Sequence, residues 1–189
     1  MASCWWIAAS IAFLSASCGG GREPLGMFNT VPEFTLTAET GEEFSSAQSL
    51  AGKVWVANFI YTTCPGPCPR TTRQMSLVQA GLEGVADARL VSFTVDPDND
   101  SPAALSAYAK RNGAVPGRWS FLTGTKKQLD LLARETFMLH AVDGKSADHS
   151  TRFVLVDRKG RVRKYYDSVE STAVDHVVAD AKELAREPG

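Results

Sequence analysis

The residues with the greatest capacity for chemistry are two cysteines, Cys64 and Cys68, and a histidine, His149. The cysteines form a CxxxC motif, which can close into a disulfide if their Cα atoms come within roughly 7 Å. Thiolates are soft ligands and favour Cu(I), zinc or iron–sulfur clusters over hard cations. A structural zinc site takes a fourth protein ligand, and an iron–sulfur cluster usually takes four cysteines. Two sulfurs and one imidazole nitrogen therefore suit copper best.

The cysteine loop lies between a predicted strand and a predicted helix. Residues 54–61 are almost all apolar or β-branched, which predicts a strand buried on both faces. A helical pattern follows, and Pro69 suits its first position because proline lacks an N–H group. The free N–H groups at a helix start favour anions, so we expect lowered pKa values for thiols placed there. Prolines within the loop restrict it before any ligand arrives.

The remaining elements follow from hydrophobic periodicity and turn residues. The expected order is a hairpin around 34–42, the strand and helix of the cysteine loop, a strand at 90–95, a helix beginning at Ser101-Pro102, a strand at 119–122, a helix at about 125–135, a hairpin of 153–156 with 162–166, and a helix at about 171–186. This alternation predicts an α/β fold with parallel crossovers and an antiparallel edge. We interpret it as thioredoxin-like, with an N-terminal β-hairpin extension and a C-terminal hairpin plus helix.

His149 immediately precedes the predicted strand 153–156, and Asp148 adjoins it. By residue type alone, a lone histidine is more often a surface or core residue than a ligand. In a thioredoxin-like fold, however, this position lies at the same sheet edge as the cysteine loop, and imidazole is the commonest metal ligand. His149 is therefore the candidate nitrogen ligand, whereas His140 and His176 are expected to be structural or exposed.

An acidic run follows the strand at 90–95. Asp96, Asp98 and Asp100 alternate as at the start of an EF-hand loop, but Ser101 and Ala107 stand where such a loop has Gly and Glu. Calcium is therefore disfavoured. Two readings stay open: solvated carboxylates that cap the next helix, or carboxylates that support the metal site or dock a partner. Asp96, Asp100 and Asp148 are the candidates for such support.

Several larger side chains are expected to pack in the core rather than to bind a ligand. These are Tyr61, Met75, Trp119, Phe137 and Met138.

The N-terminus has the outline of a signal peptide. Residues 7–14 are apolar but fall short of the roughly 20 residues that span a bilayer, and small residues then lead to Cys18. This end resembles the lipobox of bacterial lipoproteins, in which the cysteine is lipidated. We expect a leader at 1–17, a flexible tether at 18–30 and a folded domain at 31–189. The domain would face the periplasm or extracytoplasmic space of a bacterial cell envelope, anchored to the membrane.

Composition argues against nucleic-acid binding. With 20 Lys and Arg against 21 Asp and Glu, the formal net charge is −1. The apolar share of 44% is that of an ordinary globular protein.

Three segments together resemble the Sco/SenC family. They are 59–69, containing both cysteines; Asp96-Pro97-Asp98-Asn99-Asp100; and Asp148-His149-Ser150 with 153–157. The resemblance implies a thioredoxin-like, exported and usually membrane-anchored protein that binds copper through Cys64, Cys68 and His149. It further implies a role in assembling the binuclear copper centre of cytochrome c oxidase. Asp96 and Asp100 match the family's acidic motif.

Two functions remain under consideration. The first is a copper metallochaperone that holds Cu(I) or Cu(II) and delivers it to a copper-accepting subunit of cytochrome c oxidase or to another chaperone. The second is a thiol-disulfide oxidoreductase in which Cys64 and Cys68 reduce cysteines of a copper acceptor. Enzyme activity thus stays open. A thiol peroxidase is less favoured, because Tyr61 stands where peroxiredoxins have threonine.

Overall fold

The computed structural model describes residues 24–138 and 151–188. Its strands are β1 (Thr35–Ala38), β2 (Glu43–Ser45), β3 (Val54–Ile60), β4 (Ala88–Thr94), β5 (Trp119–Thr123), β6 (Arg152–Val156) and β7 (Val162–Asp167). Its helices are α1 (Ser46–Ser49), α2 (Cys68–Gly81), α3 (Pro102–Arg111), α4 (Lys126–Leu131) and α5 (Ala173–Leu184), with a π-helical turn at Leu132–Thr136 after α4.

These strands form one mixed sheet in the order β2-β1-β5-β4-β3-β6-β7. The central strands β3, β4 and β5 are parallel, whereas β1, β2, β6 and β7 pair antiparallel. Every residue of β3 is buried, as its continuous apolar sequence predicts for a strand covered on both faces. The predicted α/β class with parallel crossovers, an N-terminal hairpin and a C-terminal hairpin plus helix is confirmed.

Apolar side chains cover both faces of the sheet. On one face, α2, α3 and α5 supply core residues such as Met75, Leu105 and Val177. On the other, α4 and the π-helical turn supply residues such as Leu129 and Leu132. Alternate residues of β3 point into the two clusters, so this strand carries the cysteine loop out of a rigid centre.

Side-chain caps fix the starts of α3 and α4. Ser101 accepts a hydrogen bond from the Ala104 N–H at 3.3 Å, and Pro102 is the first residue of α3. Thr125 forms a capping box with Gln128 at the start of α4. The predicted helix over 125–135 is present, but only its first half is an α-helix, because α4 ends at Leu131 and the chain continues as the π-helical turn to Thr136.

The start of α2 also differs from the expectation. Cys68 itself is the first helical residue and Pro69 the second, and the helix ends at Gly81. Proline is tolerated there because the N–H groups of the first turn have no helical acceptor. Cys68 is thus built into the rigid helix, while Cys64 lies in the loop before it.

Residues 24–30 run beside β7. The N–H groups of Gly26 and Phe28 donate to the Arg163 and Val162 carbonyls at 3.0 and 2.9 Å. The ring of Phe28 also packs edge-on against Tyr165 at 5.3 Å. The described part of the expected tether therefore lies against the sheet edge. In the described ranges, no helix is long and apolar enough to span a bilayer.

Candidate metal centre

The cysteine loop and the acidic run leave the sheet at the same edge. Strands β3 and β4 are parallel neighbours, and Ile60 at the end of one lies opposite Thr94 at the end of the other. The segment 61–67 follows β3 and carries Cys64, while the segment 95–101 follows β4 and carries the aspartates. The carboxyl ends of parallel strands are where sites form in α/β sheets.

Both thiols are free and both are buried. Cys64 is 8% exposed and Cys68 is 3% exposed. The Cys64 N–H donates to the Tyr61 carbonyl at 3.3 Å, so the chain turns immediately before the first sulfur. The two cysteine side chains hydrogen-bond to each other. The structure therefore brings the two candidate sulfur ligands into one buried site, where each thiol shifts the pKa of the other.

Hydrogen bonds stabilise the thiolate form of Cys64. Burial by itself would raise the pKa of Cys64, but hydrogen bonds from the Cys68 thiol and N–H group, the Tyr61 phenol and the Gly66 N–H group lower it below its ordinary value. Two of these donors are backbone groups at or near the start of α2. This agrees with the expectation that the helix start favours an anion.

Cys68 behaves in the opposite way. Burial, followed by the hydrogen bond and negative charge of Cys64, raises the pKa of Cys68 to about 12. The expectation of lowered pKa values is therefore wrong for Cys68, because burial and the neighbouring thiolate outweigh the helix start. In the resting pair, Cys64 is therefore the thiol that ionises first and Cys68 is the one that keeps its proton.

Tyr61 belongs to this site rather than to the core. Its side chain is half-buried, and its hydrogen bond to Cys64, followed by burial and the charges of Cys64, Cys68 and Asp96, raises the pKa of Tyr61 to about 12. The phenol thus stays protonated and donates to Cys64. The assignment of Tyr61 to the core is wrong. The available signal was a hydroxyl-bearing ring at the point where a buried strand ends, three residues before a cysteine.

The acidic run separates into two parts. Asp100 is fully buried, and its carboxylate accepts from the Thr62 N–H and hydroxyl and from the Thr94 hydroxyl. Asp96 is half-buried, and its carboxylate accepts from the Asn99 amide at 3.0 and 2.9 Å. Neither carboxylate caps α3, since Ser101 does so. The reading of solvated helix caps is therefore wrong for Asp100.

The other predicted site residues lie outside the described residues. These are His149, Asp148 and Cys18, together with His140. Within the described ranges, no group of three or more His, Cys, Asp or Glu side chains could hold a metal ion. Among the described residues, the candidate metal donors are the sulfur atoms of Cys64 and Cys68. His176 is half-buried on α5.

Three of the four other residues expected in the core are buried, and one is exposed. Met75, Trp119 and Phe137 are at most 1% exposed and pack in the core as predicted. The prediction is wrong for Met138, which lies beyond the π-helical turn, has a φ of 50° and is 58% exposed.

Residues 22–186 match the family model described as SCO1/SenC. The chain belongs to this family. The SCO1 protein homolog of Bacillus subtilis is 34% identical over 93% of this chain and 94% of its own length. The similarity thus covers almost the whole sequence, including the three segments that resemble the family.

Solved structures of Sco proteins share the fold of this SCO1/SenC family member. BsSco, described as a member of the Sco family of cytochrome c oxidase assembly proteins with a disulfide switch, is 33% identical, with a TM-score of 0.76 and coverage of 90% of this chain and 100% of its own. Bradyrhizobium japonicum ScoI, solved with copper bound, is 25% identical, with a TM-score of 0.66 and coverage of 81% and 98%.

Proposed function

We propose that this SCO1/SenC family member is a copper chaperone that binds Cu(I) or Cu(II) through Cys64, Cys68 and His149. The interaction between the two buried cysteine side chains is the observation that carries the proposal. Two sulfurs in one buried site suit a soft ion, and Cys64, whose pKa is lowered, supplies the first thiolate ligand. Copper is the cargo of this site. The copper-bound ScoI and the family's link to cytochrome c oxidase assembly support the same conclusion.

Binding converts the resting pair into a ligand pair. A metal ion takes thiolates, so the hydrogen bond from the Cys68 thiol to Cys64 is replaced by two sulfur–copper bonds and the Cys68 proton passes to solvent. The Tyr61 phenol keeps its bond to Cys64 and balances part of the charge. Oxidation of the pair to a disulfide removes both ligands, so copper binding requires the reduced protein.

Delivery proceeds by ligand exchange with cysteines of an acceptor. The acceptor in the proposal is the copper-binding subunit of cytochrome c oxidase or another copper chaperone. The protein acts outside the cytoplasm of a bacterial cell, held to the membrane through a lipidated Cys18. Pro65 and Gly66, between the two cysteines, are exposed, so the loop that carries the sulfur pair is accessible to such an acceptor.

Metal titration followed by visible absorption tests the copper proposal. Reduced protein should bind one equivalent of Cu(II) and show a thiolate-to-copper charge-transfer band, which Cys64→Ser and Cys68→Ser should each abolish. His149→Ala should retain Cu(I) on two thiolates and weaken Cu(II), while His176→Ala serves as the matched control. An unchanged Cu(II) affinity in His149→Ala would contradict the proposed ligand set.

The asymmetry of the two thiols favours a second candidate, a thiol-disulfide oxidoreductase. The Cys64 thiolate would attack an acceptor disulfide, forming a mixed disulfide and releasing one acceptor thiolate. Cys68, after losing its proton, would attack the Cys64 sulfur and release the second acceptor thiolate. Two electrons pass to the acceptor, its thiolates take up protons, and a Cys64–Cys68 disulfide remains.

The two candidates differ in their need for His149. A reductase assay on a disulfide substrate should be unaffected by His149→Ala if the thiols act alone. Loss of both reductase activity and Cu(II) binding in His149→Ala would argue against the independent reductase role.

A further inference from the structure

Asp100 is a buried carboxylate whose side-chain hydrogen bonds lie at one junction, where the chain leaves β3 at Thr62 and β4 at Thr94. The side chain is 0% exposed, and within the described residues its donors are hydroxyl and amide groups with no Lys or Arg ion pair. One oxygen accepts from the Thr62 hydroxyl at 2.5 Å, and the other accepts from the Thr94 hydroxyl at 2.5 Å. The Thr62 N–H lies 3.2 and 3.1 Å from the two oxygens. Burying a charge without such donors is costly, so the structure of this junction depends on these hydrogen bonds.

The junction sets where the cysteine loop begins. Ile60 and Thr94 form the last pair of the β3–β4 ladder, and Thr62 lies just beyond it, two residues before Cys64. The Thr62 N–H therefore has no partner strand and is held by Asp100 instead. The carboxylate extends the parallel pairing by side-chain contacts and fixes the direction in which the chain turns towards Cys64.

Cys68 is held by a different set of contacts. The Arg70 guanidinium donates to the Ser168 and Val169 carbonyls at 3.1 and 2.9 Å, and the Gln74 amide donates to the Ser168 carbonyl at 2.7 Å. These bonds join the first turns of α2 to the turn between β7 and α5. These bonds do not involve Asp100, although the Tyr61 N–H group, next to Thr62, also donates to Cys68. A change at Asp100 is therefore expected to act mainly on the Cys64 end of the CxxxC loop.

We propose that Asp100 is a positioning residue that holds the Cys64 sulfur within reach of Cys68, for disulfide formation and for copper binding alike. The copper part rests on the proposed function, whereas the disulfide part does not. The carboxylate is required because it only accepts hydrogen bonds. An asparagine of the same shape must turn an NH2 group towards one of the donors, and the fixed Thr62 N–H cannot reverse its direction.

The test is the thiol–disulfide equilibrium of the metal-free protein with glutathione. The two thiols give up two electrons and two protons to oxidised glutathione, which becomes two reduced molecules, and the Cys64–Cys68 disulfide forms. Asp100→Asn should lower this equilibrium constant by about tenfold, because a sulfur held less firmly has a lower effective concentration at its partner. Asp98→Asn makes the same charge change at an exposed position of the same loop and should change it less than about twofold.

A double-mutant cycle separates positioning from a loss of stability. Thr62→Val removes one donor to Asp100, should shift the equilibrium in the same direction by a smaller factor, and should add little to Asp100→Asn. If Asp100→Asn does not fold, the effect of Thr62→Val alone still tests the proposal. A folded Asp100→Asn protein with an unchanged equilibrium constant would overturn the proposal, as would additive effects of the two substitutions. Because no copper is present, a failure of the copper proposal leaves this result interpretable.

Discussion

The phenol of Tyr61 donates a hydrogen bond to the sulfur of Cys64, and this contact joins the end of the central strand to the reactive loop. The bond affects both groups in a consistent way. It contributes to the lowered pKa of Cys64 and is the first cause of the rise in the pKa of Tyr61 to about 12. Cys68 supplies a second side-chain donor to the same sulfur, so negative charge concentrates on Cys64.

Tyr61→Phe should therefore raise the pKa of Cys64. The ring is kept and one donor to the thiolate is lost, so the thiolate fraction at neutral pH falls. The pH dependence of alkylation by iodoacetamide measures this, and its midpoint should move to higher pH. Tyr165→Phe is the matched control, because its buried hydroxyl has no partner within the described residues. A profile unchanged by Tyr61→Phe would mean that this hydrogen bond does not stabilise the thiolate.

The contacts of Arg70 predict a stability effect specific to the start of α2. Arg70→Ala removes the two hydrogen bonds to the turn at Ser168 and should lower the free energy of unfolding by about 1 kcal/mol. Arg73→Ala makes the same charge change at an exposed site on the same helix and should have an effect near zero. Urea denaturation of the two variants provides the comparison, and equal losses would contradict a specific contribution from Arg70.

The sequence was sufficient for those features that depend on local patterns. The buried strand β3, the cap at Ser101 and the CxxxC loop before a helix each follow from neighbouring residues. The contact of Asp100 with Thr62 spans 38 positions and depends on the pairing of β3 with β4, which residue spacing does not reveal. The opposite pKa shifts of the two cysteines likewise depend on how deeply each sulfur is buried.

Asp157 predicts a loss of stability in acid. Burial by itself would raise the pKa of Asp157, but hydrogen bonds from the Arg161 side chain and from the Arg161 and Lys159 N–H groups lower it below its ordinary value. A carboxyl with a lowered pKa stabilises the fold above the unfolded-state pKa of roughly 3.9, and this contribution disappears as the pH falls through the folded-state pKa. Arg163 adds a further ion pair at 3.2 Å.

Asp157→Asn should accordingly lower the free energy of unfolding at pH 7 by about 2 kcal/mol, since a hydrogen bond to a charged group contributes that much. The difference from the unsubstituted protein should begin to shrink as the pH falls below about 4, where the unfolded protein becomes protonated at Asp157, and should disappear below the lower folded-state pKa, where the folded protein is protonated as well. Thermal denaturation between pH 3 and 7 measures it. Asp130→Asn, which removes an exposed pair with Lys126, should change stability by less than about 0.5 kcal/mol at pH 7. A difference that stayed constant with pH would contradict the assigned cause.

Gly81, the last residue of α2, packs so closely against α5 that a side chain at this position would overlap with it. A Cβ atom at this position would lie 2.6 Å from Cγ2 and 3.0 Å from Cγ1 of Val178. Alanine is the better helix former by about 1 kcal/mol. The overlap nevertheless costs about 1–3 kcal/mol, so Gly81→Ala should lower stability overall. Combining it with Val178→Ala removes the overlapping methyl groups, and the double variant should lose less stability than the sum of the two single variants. Chemical denaturation of all four proteins measures the coupling, and additive losses would show that the helices separate rather than clash.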